Sequence, residues 1–112
     1  MELPIINHPD YVAKINDYNK FPIQKFGALA DHLIKEGVVK KFFIPQECST
    51  ETMKTSHSLE YINHIRNKTL DMKLQKKIGF PINDSVVRRS FVATGGTVLA
   101  SKLALDSKLA CN

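Results

Sequence analysis

The side chains of this chain best suited to metal binding or nucleophilic attack are four histidines and two cysteines. The histidines are separated by 24, 25 and 7 positions: His8, His32, His57 and His64. None forms the i, i+4 pair that zinc-binding helices present. Cys48 and Cys111 are isolated and lack a Cys-x-x-Cys spacing. The sequence therefore predicts no catalytic residue and no metal ligand in this chain.

Three alternative sites can be drawn from the same residues. Cys48, His57 and His64 would have to meet in three dimensions to hold a metal, and a nucleophilic Cys48 would need a histidine base without any local signature. Ser56-His57-Ser58 places its residues too close in sequence for a nucleophile and base to share a hydrogen bond, whereas a serine before a helix usually caps it. Capping and surface roles are favoured. Both cysteines are expected to be buried or semi-buried thiols, with a disulfide left open.

Positive charge is concentrated in the second half of the chain. Residues 1–56 carry seven Lys/Arg and seven Asp/Glu, whereas residues 57–112 carry nine against four, so the second half holds the net charge of +5. Three lysines of residues 73–77 and the pair Arg88-Arg89 form its densest part. A solvated helix face is favoured over a nucleic-acid site, because no aromatic residues alternate with the lysines.

Composition and patterning predict one globular α/β domain. The chain has 43% hydrophobic and 24% charged residues, and its apolar runs fall far short of the roughly eighteen residues that span a bilayer. Its start lacks the basic flank of a secretory signal, so a cytoplasmic location without a membrane partner is predicted. Short strands are expected at residues 3–6, 38–44 and 109–111, and residues 10–22 are interpreted as a loop.

Helices are expected between these strands. The apolar spacing of residues 26–34 predicts one that stops at Gly37, and Ser49 or Thr50 caps a short second helix. Others are predicted from His57, over residues 71–79, and over residues 84–106 with a cap at Asn83 or Asp84. Gly95-Gly96 lies within the last, and indicates either close approach of another backbone or the meeting of two helices.

Six stretches carry a resemblance to a known family: LPIINHPDY at 3–11, FPIQKF at 21–26, SHSLEYI at 56–62, IGFP at 78–81, RRS at 88–90 and GGT at 95–97. Their order and spacing resemble the histone deacetylase family, in its bacterial and class IV-like branch. The resemblance covers nearly all of residues 1–112, which correspond to the amino-terminal segment of the domain. The chain stops before that family's tandem-histidine motif, Gly-Gly-Thr-His-His.

The resemblance implies an arginase-like α/β fold, here the incomplete amino-terminal portion of its parallel sheet with flanking helices. It also implies a zinc-dependent amidohydrolase that removes acetyl groups from lysine or related amines, with tandem histidines moving protons and a tyrosine stabilising the oxyanion. Those residues lie downstream of the region represented here. Zinc is thus expected in full-length relatives, while no cofactor and no activity are expected of this chain alone.

The resemblance also supplies four site residues, as substrate-tunnel rim and not as chemistry: Phe21, Pro22, Phe80 and Pro81. Turn formation by the prolines is the alternative role. An unfinished sheet would expose an edge, from which self-association and marginal stability are expected. Three functions remain open: a deacetylase-family fragment without catalysis, half of a split enzyme that assembles with a separately encoded catalytic partner, and a basic binding module at residues 73–89.

Overall fold

A computed structural model describes residues 2–16 and 18–112. Over this part of the chain there are five α-helices and one turn of 3₁₀ helix: α1 (Lys25–Lys35), α2 (Thr50–Met53), α3 (Leu59–Arg66), α4 (Met72–Ile78), α5 (Asp84–Ser107) and the 3₁₀ turn Pro9–Tyr11. All five predicted helices are confirmed, although α3 begins at Leu59 and not at His57. None of the described helices has both the length and the apolar character needed to cross a bilayer.

The predicted α/β fold is wrong, because the described residues form no β-strand and no sheet. The segments expected to be strands meet only in two isolated parallel bridges: Ile5 with Cys111, and Ile6 with Phe43. Prolines contribute to this interruption, since Pro4 and Pro45 have no N–H to donate to a ladder. The incomplete arginase-like parallel sheet is therefore replaced by a small helical domain whose extended segments touch at single points.

Local side-chain caps determine where four of the helices begin. The side-chain oxygens of Ser49, Ser58, Asp71 and Asn83 each accept a hydrogen bond from the backbone N–H three residues later, at 2.9 to 3.2 Å. Such caps satisfy backbone donors that have no partner inside the helix. The carboxyl-terminal end of α1 is followed by Gly37, whose φ is 71°. The predicted left-handed stop after this helix is thus confirmed.

The long helix α5 is central to the fold, because both buried apolar clusters pack against it. One cluster joins Phe91 to Cys48, Met53 and Ile62, and the other joins Val86 to Ala13 and Ile23. Val86 and Phe91 are five residues apart, which places them about 140° from each other around the helix axis. The rest of the chain therefore packs on two sides of α5.

The glycine pair of α5 allows two other segments to approach its backbone. A Cβ at Gly95 would overlap the carbonyl oxygen of Gln46, and a Cβ at Gly96 would overlap the hydroxyl of Tyr11 and lie 2.5 Å from Oδ1 of Asn112. The helix continues through both glycines without a break. Close backbone approach is therefore confirmed, and the alternative of two helices meeting here is wrong.

The described chain is a thin slab that exposes more surface than a domain of its mass normally does. Its principal extents are 46 × 34 × 17 Å. Its accessible surface is 8001 Å², whereas a folded 12.6 kDa monomer is expected to expose about 6,200 Å². Besides Tyr18, six large apolar side chains among the described residues are more than half exposed: Leu29, Val38, Ile44, Met72, Leu105 and Leu109.

Replacing Gly95 with alanine is expected to destabilise the fold. Alanine favours a helix by about 1 kcal/mol, but overpacking against the Gln46 carbonyl, which belongs to backbone, costs about 1 to 3 kcal/mol. Gly27→Ala is the matched control, because a Cβ there meets only the side-chain tip of Val12, at 3.3 Å. Urea unfolding followed by circular dichroism gives the unfolding midpoint of each variant. A G95A midpoint equal to that of G27A would contradict the close approach.

Candidate functional site

Two apolar grooves flank α5 and share Arg89 and Thr94 in their linings. The first groove, of about 480 Å³, lies between α5 and the residues of α2, α3 and α4. The second, of about 730 Å³, lies between α5, α1 and the extended segment that contains Ile5. Both volumes fall within the range of about 300 to 1,000 Å³ typical of ligand sites.

The walls of the first groove follow from the helical periods of α3 and α5. Val87 and Phe91 are four residues apart and lie on one side of α5, as Ile62 and Ile65 do on α3. Phe80, in the link between α4 and α5, adds an aromatic wall. Besides Arg89, seven of the described lining residues carry polar side chains: Thr52, Thr55, Ser56, His57, Tyr61, Ser90 and Thr94. The groove is thus suited to an apolar group that carries a small polar end.

Arg89 brings a half-buried positive charge to this groove. Its Nε donates a hydrogen bond of 2.7 Å to the carbonyl oxygen of Tyr11, and its guanidinium carbon lies 4.9 Å from the ring centroid of Phe26. Burial lowers the pKa of Arg89, while the nearby Tyr11 acts to raise it. An arginine remains protonated at neutral pH despite such a shift. Its charge is therefore fixed in place beside apolar walls.

The adjacent Arg88 has the opposite surroundings. Its Nε lies 3.0 Å from Oδ2 of Asp10, and its Nη1 lies 3.0 Å from Oε1 of Glu47. These two hydrogen-bonded carboxylates raise the pKa of Arg88. The densest basic region of the sequence is therefore divided. Arg88 pairs with carboxylates within the fold, whereas the three lysines of α4 are exposed to solvent: Lys73, Lys76 and Lys77.

The structure brings together two of the four predicted rim residues. Phe21 and Phe80 pack edge to face with their ring centroids 5.3 Å apart, and both contact the buried cluster that contains Val86. Pro22 and Pro81 are exposed. Phe80 lines the first groove, so one of the four residues belongs to a candidate site. A role at the rim of a substrate tunnel stays a prediction.

The histidines and cysteines have separate surroundings. Within residues 2–16 and 18–112, no three His, Cys, Asp or Glu side chains converge as a metal site requires. His64 contacts Thr69 at 2.8 Å, and the ring of His57 lies 5.7 Å from that of Tyr61. Cys48 is buried, as predicted, and burial raises its pKa, whereas Cys111 is exposed; both thiols are free.

Sequence reasoning missed Arg89 as a site residue. In the sequence the Arg88-Arg89 doublet is only part of a basic region that also contains the lysines of residues 73–77. One signal is the position of the two arginines on an apolar helix. Consecutive residues of a helix point about 100° apart, so the two arginines must face different surroundings. Nothing in the sequence says which of the two arginines faces carboxylates and which faces a groove.

Comparison with known proteins adds one relative. Over 114 aligned residues the chain is 37% identical to an uncharacterized protein of Picosynechococcus sp.. The alignment covers 100% of this chain and 38% of that protein, so the chain spans about two fifths of the length of the curated relative it matches. No family model matches the chain.

Stability at alkaline pH is expected to depend on Tyr11, whose carbonyl positions Arg89. Burial raises the pKa of its phenol above the ordinary value of 10.0, although the Asn112 hydrogen bond and the Arg89 charge act to lower it. The unfolded chain therefore loses this proton first, so the stabilisation is complete below about pH 10 and is lost as the pH rises through the folded pKa. Thermal unfolding across this pH range measures the effect.

Tyr11→Phe should reduce the alkaline loss of melting temperature. Tyr18→Phe is the control, since the Tyr18 side chain is 93% exposed and its replacement should leave the pH dependence as in the wild type. An equal alkaline loss in Y11F and Y18F would contradict the contribution of the buried phenol.

Proposed function

We propose that this chain is the non-catalytic amino-terminal segment of a protein related to the zinc-dependent deacetylases. Its function is to pack against the segment that carries the catalytic residues, whether that segment follows in the same polypeptide or is encoded separately. Alone, the chain has no hydrolytic activity. The sequence resemblance to the deacetylase family supports this proposal. The similar Picosynechococcus protein is longer than this chain, which supports a role as one segment of a larger protein.

The excess of exposed surface is the observation that carries this proposal. The chain exposes 8001 Å², which is about 1,800 Å² more than the value expected for its mass. One partner in a stable protein interface typically buries about 800 Å². A packing partner would cover part of this excess surface.

The second groove is the docking face. Leu29 and Leu33 of α1 line one side of it, with Leu29 58% exposed. Phe42, Ala93 and Cys111 are among its other lining residues. A partner that covered these apolar side chains would remove them from water, and this burial would stabilise the complex. The occupant we infer is the catalytic segment of the same deacetylase-like protein.

The described residues do not fit a zinc ion, because no three suitable ligands converge. When bound to the catalytic segment, zinc would polarise the amide carbonyl of the substrate. This chain supplies packing surface for that segment, and the rim residues Phe21 and Phe80 are the part of it assigned to the border of the substrate tunnel.

Mixing tests the proposal. The 112-residue chain is combined with the part of the Picosynechococcus protein that it does not match, and hydrolysis of an acetyl-lysine peptide is measured with and without added zinc. We expect no activity from this chain, and zinc-dependent activity on mixing that exceeds what the other part shows alone. Absence of both binding and activity on mixing would overturn the proposal.

Charged substitutions test where the partner binds. Leu29→Glu places a carboxylate in the second groove and should weaken association at least about tenfold, because burying an unpaired charge is costly. Met72→Glu is the control, since Met72 is 65% exposed on α4 and lies outside both groove linings. Analytical ultracentrifugation of the chain alone adds a further outcome: a stable dimer abolished by L29E would identify a second copy as the occupant and contradict the proposal.

A further inference from the structure

Two neighbouring arginines of α5 differ in what balances their charge. Arg88 contacts the carboxylates of Asp10 and Glu47. Arg89 is half-buried, yet among the described residues no carboxylate oxygen lies within 4.0 Å of its side-chain nitrogens. Within the described part of the chain, its side chain makes one hydrogen bond, through Nε. A partly desolvated guanidinium with that pattern is poised to receive an anion, since burying a charge without a partner is unfavourable.

Arg89 is held in a geometry that suits a planar anion. Its Nε is fixed to the Tyr11 carbonyl, and the aromatic ring of Phe26 contacts the guanidinium. These contacts restrict the side chain and leave its two terminal nitrogens as donors. A carboxylate can accept two parallel hydrogen bonds from such a fork. Lys25, whose Nζ is 5.3 Å from the same Phe26 ring centroid, adds positive potential nearby.

The first groove extends from Arg89 along apolar walls. Ile23 and Val86 line it together with Arg89, and the walls continue through Val87 to Ile62. Its volume of about 480 Å³ is suited to a small organic ligand. Among the described lining residues of this groove, Arg89 is the one Lys or Arg, and none is Asp or Glu. This charge pattern matches a ligand with a single negative charge and an apolar body.

We propose that the first groove binds a small amphipathic monocarboxylate. The carboxylate pairs with the terminal nitrogens of Arg89, and the hydrocarbon part lies between α3 and α5. This site goes beyond the docking function, because it uses the first groove and needs no second segment. Binding is non-covalent and involves no chemical step.

Calorimetric titration of the 112-residue chain tests the site with octanoate and with its neutral isostere octanamide, both below the concentration at which octanoate forms micelles. The wild type should bind octanoate at least about tenfold more tightly than octanamide, because a hydrogen bond to a charged group is stronger than one to a neutral group. Equal affinity for the two probes would overturn the assignment of a carboxylate site.

Matched variants locate the charge. Arg89→Met should lower octanoate affinity at least about tenfold and leave octanamide affinity within about twofold. Arg88→Met is the control and should leave the preference for octanoate unchanged, because Arg88 does not line the groove. Arg89→Lys keeps the charge without the planar fork and should retain part of the preference. Equal effects of R88M and R89M would overturn the role of Arg89.

A groove-filling variant locates the apolar part. Val87→Phe adds volume to the wall and should weaken both probes, while circular dichroism confirms that each variant remains helical. If folded V87F bound octanoate as tightly as the wild type, the ligand would lie outside the first groove and the proposal would be contradicted. The assay contains the chain alone, so its failure is distinguishable from a failure of the segment-mixing experiment.

Discussion

The close contact on the glycine face of α5 is the constraint on which the other contacts depend. Gly95 admits the backbone of residues 46–48, and the amide of Cys48 donates a hydrogen bond of 2.9 Å to the carbonyl oxygen of Phe91. Gly96 admits Tyr11 and Asn112, whose side chains are hydrogen-bonded to each other. Since neither approach is compatible with a Cβ, two small residues hold three distant parts of the chain against one helix.

That contact also determines the electrostatics of the candidate site. Once Tyr11 is seated at Gly96, its carbonyl oxygen is positioned to accept the Nε hydrogen bond of Arg89. The preceding arginine, turned about 100° around the helix, instead reaches Asp10 and Glu47. One arginine therefore ties the loops to α5, whereas the other faces the grooves. Backbone packing and site charge are consequences of the same arrangement.

Local chemistry was enough to predict the helices. Asn83 and Asp71 are good caps and Gly37 is a good stop because each acts through atoms within a few residues of itself. The strands were predicted wrongly because pairing is non-local: the apolar run at residues 3–6 suits a strand, but its partners meet it at only one bridge each. β-Propensity describes a half-buried pleated surface, which the described residues do not build.

The site was predictable only in part, for the same reason. The sequence predicts either close approach of another backbone or the meeting of two helices at Gly95-Gly96, because a glycine inside a helix is costly without a packing reason. Phe21 and Phe80 are predicted from the family resemblance alone. Their contact joins residues that are 59 positions apart in the chain, so no local pattern predicts it. Arg89 could not be separated from Arg88, since its difference arises from which distant segments reach each side of α5.

The unequal shielding of the two thiols makes the chain selectively addressable. Cys48 is 6% exposed against α5, whereas Cys111 is exposed and its backbone N–H donates to the carbonyl oxygen of Pro4 at 2.9 Å. Thiol reagents act on accessible thiolates, so a fluorophore or spin label would attach at Cys111 while the interior thiol stays untouched. Because Cys111 lines the second groove, that label would sit where the early and late parts of the polypeptide meet and would sense any macromolecule arriving there.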